Sequence, residues 1–149
     1  MKKLDERLFK TLVENSPLIS IDILIKNENR ILLGKRINKP AKGYFFSIGG
    51  RIMKNESISL AIKRIMRNEL NIEIKNTPRF LDVFEHFYED SIFSAISTHY
   101  VGLLYEYEVG IIDFKCLPKD QHNEYKWLSI NQILMDSQVH ENVKNYFRD

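Results

Sequence analysis

Apolar residues recur along this chain in two rhythms, and each rhythm marks a kind of element. Leu4, Leu8, Leu12 and Val13 fall at helical spacing, so residues 4–14 form a short amphipathic helix that Pro17 ends. Residues 18–26 alternate and are β-branched, which predicts a strand. Asn27-Glu28-Asn29 is a turn and 30–36 the return strand. Residues 38–43, with Pro40 and Gly43, form a loop. A short strand over 44–48 runs into the pair Gly49-Gly50, which reads as a turn into a main helix over 57–70. Residues 80–88 and 97–109 are long strands joined by a hairpin connection at 89–95. A long loop over 110–123 precedes a strand at 124–128, which holds Trp127. Residues 130–147 are helical, with a break near Asp136-Ser137. This order predicts an α+β fold, a mixed sheet with helices packed on its faces.

The main helix breaks its own pattern at one position. At 100° per residue, Ile62, Ile65 and Glu69 all lie within about 40° of Ile58, so a carboxylate sits on the apolar stripe. Desolvating an unpaired carboxylate costs several kcal/mol. A bound cation would justify it. A solvated glutamate in a fraying last turn before Asn71 is the other reading.

Composition narrows the class. The 149 residues suit one domain, 1–149, and 44% hydrophobic with 28% charged residues is ordinary for a globular protein. A net charge of +2, with scattered Lys and Arg, gives no reason to expect a nucleic-acid partner. Cys116 is the only cysteine, which excludes an internal disulfide and fits a reducing cytoplasm. The charged start, Met1 to Glu6, does not read as a signal peptide, and no apolar run is long enough to span a membrane.

Several residues carry candidate chemistry. Gln121-His122 lies in the predicted long loop, where a histidine is either a general base or a solvated side chain. His86 and His99 sit in predicted strands beside aromatics, and His99 reads as a strand residue with a satisfied hydrogen bond. His140 reads as a surface residue of the last helix. Gly34-Lys35-Arg36 lacks the rest of a P-loop, yet the Arg36 guanidinium suits a phosphate, as does Arg51 after the glycine pair. Arg64 and Glu56 read as a structural pair. Asp22 interrupts an apolar strand, so it faces either solvent or a site.

The glycine pair, Glu56, Arg64 and Glu69 resemble the signature of the Nudix superfamily. Ile65 and Asn68 stand where that signature has glutamates, and Asn71 where it closes on glycine. These departures are shared by one branch, the GDP-mannose mannosyl hydrolases. Ser16 to Asp22, Leu32 to Arg36, Asn38 to Tyr44, His86-Phe87-Tyr88, Thr98-His99-Tyr100 and Gln121 to Leu128 all have counterparts there.

The resemblance implies a Nudix fold, with a mixed sheet sandwiched between helices, and a homodimer. It implies Mg²⁺-dependent hydrolysis of a nucleoside-diphosphate sugar, GDP-mannose or GDP-glucose, by water attack at sugar C1 with inversion. By position, Mg²⁺ would be held by the Gly49 carbonyl, Glu69 and Gln121. His122 would be the base, and Arg36 and Tyr100 would hold the diphosphate. Asp22, Arg51 and His86 would line the sugar and phosphate site, with Arg64 behind them. The family's guanine-reading aromatic and acid correspond here to Lys3 and Leu8, so looser base selectivity is expected. A proline common before the family's glycine pair is Ile48 here. Two rivals remain: a Nudix pyrophosphatase cutting P–O–P, and a non-catalytic nucleotide-sugar sensor.

Overall fold

The computed structural model describes residues 4–148; Lys3 lies outside them. The fold is built outward from β1 (Leu18–Asn27). It pairs antiparallel with β2 (Arg30–Arg36) and β4 (Ile48–Arg51), and parallel with β6 (Thr98–Glu108). β5 (Arg79–Tyr88) pairs antiparallel with β6 at one edge. β2 also pairs with β3 (Phe45–Phe46) and β7 (His122–Leu128). The sheet is therefore mixed, and helices cover its faces, the expected α+β architecture.

Both faces of β1 are covered, so its expected alternation of exposure is absent. Ile21, Ile23 and Ile25 pack with Ala61, Ile62, Ile65, Met66 and Leu70 of α2 (Ile58–Leu70). Leu24 points the other way, into a cluster with Leu33, Phe45, Ile133 of α3 (Ile130–Met135) and Val143 of α4 (Glu141–Lys144). Each fully buried aliphatic side chain of this kind contributes about 1.5–3 kcal/mol. Ser57 caps α2 through a bond from the Leu60 amide, and Asn71 ends it in the left-handed conformation, φ 56°. The last helical segment breaks between Met135 and Glu141, as the sequence predicts.

The structure corrects four local expectations. Gly49-Gly50 is not a turn; both residues lie in β4, and a Cβ at Gly49 would stand 2.5 Å from the Ile21 carbonyl oxygen. The glycines serve close approach. The chain turns later, at Lys54-Asn55, with Asn55 at positive φ. His122 is not in a loop; it opens β7, two residues before the expected strand. The predicted apolar stripe of α1 (Glu6–Asn15) is largely exposed at Leu8 and Leu12, and Val13 is its buried residue. His140 is a half-buried N-cap of α4, with its ring against Tyr44, Phe46 and Tyr88.

Candidate active site

One cavity of about 1110 Å³ opens beside the β1–β4 pair. Asp22, Arg36, Gly49, Arg51, Arg64, Glu69, His86, Tyr100, Gln121 and His122 all line it. They come from β1, β2, β4, α2, β5, β6 and β7, so only the folded sheet gathers them.

Its floor is Asp22. A Cβ at Gly49 would come within 2.8 Å of one Asp22 oxygen, and a Cβ at Gly102 within 2.9 Å of the other. The carboxylate thus lies between two strands that leave room for nothing larger. Burial raises its pKa to about 6, against the pull of the Ser47, Tyr146 and Ser20 hydroxyls and the Arg36 guanidinium. Ser47 Oγ donates to it at 3.3 Å. His86 and Tyr100 face each other across β5 and β6. Burial lowers the His86 pKa to about 4, assisted by His140, and raises that of Tyr100.

Three arginines of the cavity are held by neighbours. Arg36 Nε donates to the Pro40 carbonyl at 2.8 Å. The Arg51 guanidinium lies 3.9 Å from the centroid of the Phe9 ring of α1, a cation–π contact. Burial lowers the Arg51 pKa, and the neighbouring Arg64 adds to that. Arg64 itself clamps the Glu56 carboxylate at 2.7 and 2.9 Å and donates to the Arg51 carbonyl at 2.7 Å. That bidentate pair is the structural pair expected, and it holds the Glu56 carboxyl below its usual pKa.

At the other wall, His122 Nδ1 stands 3.3 Å from Oε2 of Glu69. The distance suits an ion pair, but the alignment is not that of a hydrogen bond, and among the described residues neither ring nitrogen of His122 has a hydrogen-bond partner. The ring rests directly on Gly34, where a Cβ would stand 2.6 Å from its carbons. A register shift between Gly34 and Arg36 turns this part of β2. His99, expected to be satisfied, has among the described residues no hydrogen-bond partner for Nε2, which lies 3.6 Å from Glu85 Oε1, and its ring stacks on Phe87.

Three residues that line the cavity carry oxygen donors of the kind Mg²⁺ takes. Gly49, Glu69 and Gln121 bring a carbonyl, a carboxylate and an amide oxygen to one cavity. Mg²⁺ prefers oxygen ligands and usually keeps several waters and substrate phosphates, so few protein ligands suffice. Among the described residues no three His, Cys, Asp or Glu side chains cluster as a metal cage. Among them, too, no helix is long and apolar enough to cross a membrane.

Sequence reasoning missed several residues around this cavity. Gly34 and Gly102 are lone glycines inside strands, a known sign of close approach. Phe9, Ser47 and Tyr88 also line the cavity. Tyr146 carries no local signal at all.

A glycine-bearing strand leading into a carboxylate-bearing helix, on a mixed sheet between helices, is the frame of a Nudix hydrolase. The chain belongs to that family, as the NUDIX domain model matches residues 17–149. The low-salt glycan biosynthesis protein Agl8 of Haloferax volcanii is 38% identical over 119 residues, 79% of this chain and 74% of that protein. The ADP-ribose pyrophosphatase of Methanocaldococcus jannaschii is 26% identical over 149 residues, 99% of this chain and 82% of that protein. A MutT Nudix hydrolase from Burkholderia pseudomallei superposes with a TM-score of 0.70 at 21% identity, over 88% of this chain and 95% of that one. The MutT protein of Methanosarcina mazei gives 0.71 at 19% identity, over 89% and 92%. At these identities the two structures share the fold.

Proposed function

We propose that this Nudix hydrolase cleaves a nucleoside-diphosphate sugar, GDP-mannose or GDP-glucose, to the nucleoside diphosphate and free sugar. Water attacks sugar C1, and the anomeric centre inverts. The observation that carries this reading is that Glu69 is the only carboxylate of α2. Ile65, at one family glutamate position, is buried in the core, and its side chain lies 3.2 Å from where a Gly50 Cβ would stand. No second metal-binding carboxylate can be supplied from there. Attack at phosphorus draws on several such groups, whereas departure of a diphosphate from carbon needs mainly neutralisation of its charge.

Mg²⁺, held by the Gly49 carbonyl, Glu69 and Gln121, would supply part of that neutralisation. Arg36 and Tyr100 hold the diphosphate by charge and hydrogen bonding. Asp22, Arg51 and His86 line the sugar side, and Arg64 fixes the β4 backbone from behind. His122 takes the proton from water through Nε2, with Nδ1 turned to Glu69. Because its nitrogens are closed off from solvent, the site has to open locally for water to reach them. The relative named for glycan biosynthesis supports a sugar-bearing substrate. The same reading includes one Nudix unit over the whole chain, a cytoplasmic home and a homodimer, on the strength of composition and resemblance.

The second reading is a pyrophosphatase that cuts P–O–P in a nucleotide derivative, favoured by the relative named ADP-ribose pyrophosphatase. Hydrolysis of a panel of nucleotide sugars in ¹⁸O-water separates the two. Label in the free sugar, first formed as the opposite anomer, supports C1 attack. Label in a sugar phosphate or nucleotide means attack at phosphorus and overturns it.

A further inference from the structure

The helix α1 meets the cavity through an aromatic residue to which the functional reading gives no role. Phe9 lines the cavity together with Arg51. The Arg51 guanidinium carbon lies 3.9 Å from the centroid of its ring. The same ring packs edge-on against Phe93 of the β5–β6 connection, with centroids 5.7 Å apart at 61°. Val13, one helical turn further on, is buried with Leu18 and Ile96, and Phe9 and Phe93 pack against that cluster. Apolar packing therefore places the ring, and that packing needs no cation.

Arg51 is restrained differently from its neighbour Arg64. Arg64 is clamped by the Glu56 carboxylate, which takes two of its N–H groups and cancels its charge. Among the described residues no carboxylate pairs with the Arg51 guanidinium, and Arg64 is a like-charged neighbour. The Arg51 backbone is fixed, since its carbonyl accepts from Arg64 at 2.7 Å. Its long side chain would otherwise keep many rotamers. A guanidinium stacks through its flat face and hydrogen-bonds through its edge. The Phe9 ring can thus hold Arg51 without occupying a single donor or neutralising the charge.

We propose that Phe9 is a positioning residue: its ring face holds the Arg51 guanidinium at the cavity wall and leaves the N–H fork free to grip a phosphate group bidentately. A planar fork matches two phosphate oxygens, and a fork already held in place loses less freedom on binding. Helix α1 then belongs to the anion site, because its docking through Phe9 and Val13 sets where the fork stands. The phosphate part of this inference rests on reading the cavity as a nucleotide-sugar site; the dependence of Arg51 on Phe9 does not.

The test measures binding and needs no turnover. The full chain is titrated calorimetrically with inorganic pyrophosphate, with Mg²⁺ present throughout. Phe9→Leu keeps apolar bulk against Phe93 and should raise the dissociation constant about 2- to 30-fold, the range that a cation–π contact covers. A trifluorinated phenylalanine at position 9 keeps the ring's shape but withdraws its negative face, so it should weaken binding as well. In an Arg51→Met background Phe9→Leu should change nothing further. Wild-type affinity with the fluorinated ring, or an equal loss from Phe9→Leu in both backgrounds, would show that Phe9 merely packs α1 and overturns the proposal. So does a wild type that binds no pyrophosphate. Where Phe9→Leu or Arg51→Met does not fold or does not bind, the fluorinated ring decides alone. Failure of the protein to hydrolyse any nucleotide sugar would overturn the functional reading and leave these affinities standing.

Discussion

Glu69 and His122 meet across the cavity wall, Oε2 to Nδ1 at 3.3 Å, with side chains only 13% and 2% exposed. The contact links the last turn of α2 to the first residue of β7. It also joins the proposed metal ligand to the proposed base, so a change at one residue acts on both.

Glu69→Gln is expected to raise the Mg²⁺ concentration needed for half-maximal hydrolysis while leaving the fold intact. Replacing the charged carboxylate by a neutral amide weakens one of few protein oxygen donors in a site that otherwise relies on water and phosphate. Activity measured against Mg²⁺ for the folded variant checks this. An unchanged metal dependence would exclude ligation by Glu69.

His122→Ala should lower kcat by about 10²–10⁴, the usual worth of a positioned general acid or base. Steady-state kinetics on the hydrolysed nucleotide sugar give the answer directly. Wild-type kcat in a folded variant ends the assignment.

Gly34→Ala tests whether His122 needs its place over the β2 backbone. The added methyl would stand 2.6 Å from the ring carbons, so the ring must move. The expected effect is a fall in kcat with little change in KM. In a His122→Ala background the same substitution should cost less, because the ring clash is gone and only the residue-122 Cβ, 2.9 Å away, remains. Additive losses in the double variant would point to a general distortion of β2.

His86→Gln should change how stability depends on pH. Burial holds the folded His86 pKa at about 4, below the ordinary 6.5. Between those values the unfolded chain binds the proton and the folded one does not, so stability is full above pH 6.5 and falls as pH drops to about 4. The shift corresponds to about 3 kcal/mol. His86→Gln removes this term, so its loss of stability from pH 7 to pH 4 should be smaller than that of the wild type. Urea unfolding at both pH values measures it, and identical losses would refute the buried neutral state.

Base selectivity should be loose. Leu8, one of the positions matching the family's guanine readers, is 56% exposed in α1 and offers neither a ring nor an acid. Comparing kcat/KM for GDP-, ADP- and UDP-sugars tests this. A preference for GDP above about 10³-fold would mean that other residues read the base.

Much of this molecule was legible in the chain. Helical period and the stop at Asn71 placed α2 within a residue, because propensity and capping are local. The phase of Glu69 put it on the inward face for the same reason. The signature departures at Ile65 and Asn68 are readable one position at a time. Other features were not local. Gly49-Gly50 looked like a turn because glycine commonly makes turns, but here it lets β4 lie against the Ile21 carbonyl and Asp22. His122 looked like a loop residue because β7 gains its first rungs from pairing with β2, which no window of β7 alone contains.

The sequence by itself determined the mixed α+β frame, the main helix, its single carboxylate and most candidate site residues, since these follow from period, caps and residue type. Only the tertiary structure decided which of them meet. Antiparallel β5–β6 pairing sets His86 opposite Tyr100, parallel β1–β6 pairing brings Gly102 beside Asp22, and the C-terminal turn delivers Tyr146 to His86. Those contacts join residues far apart in the chain. Their geometry depends on strand register and on the packing of two opposite sheet faces, and neither is encoded in any local stretch.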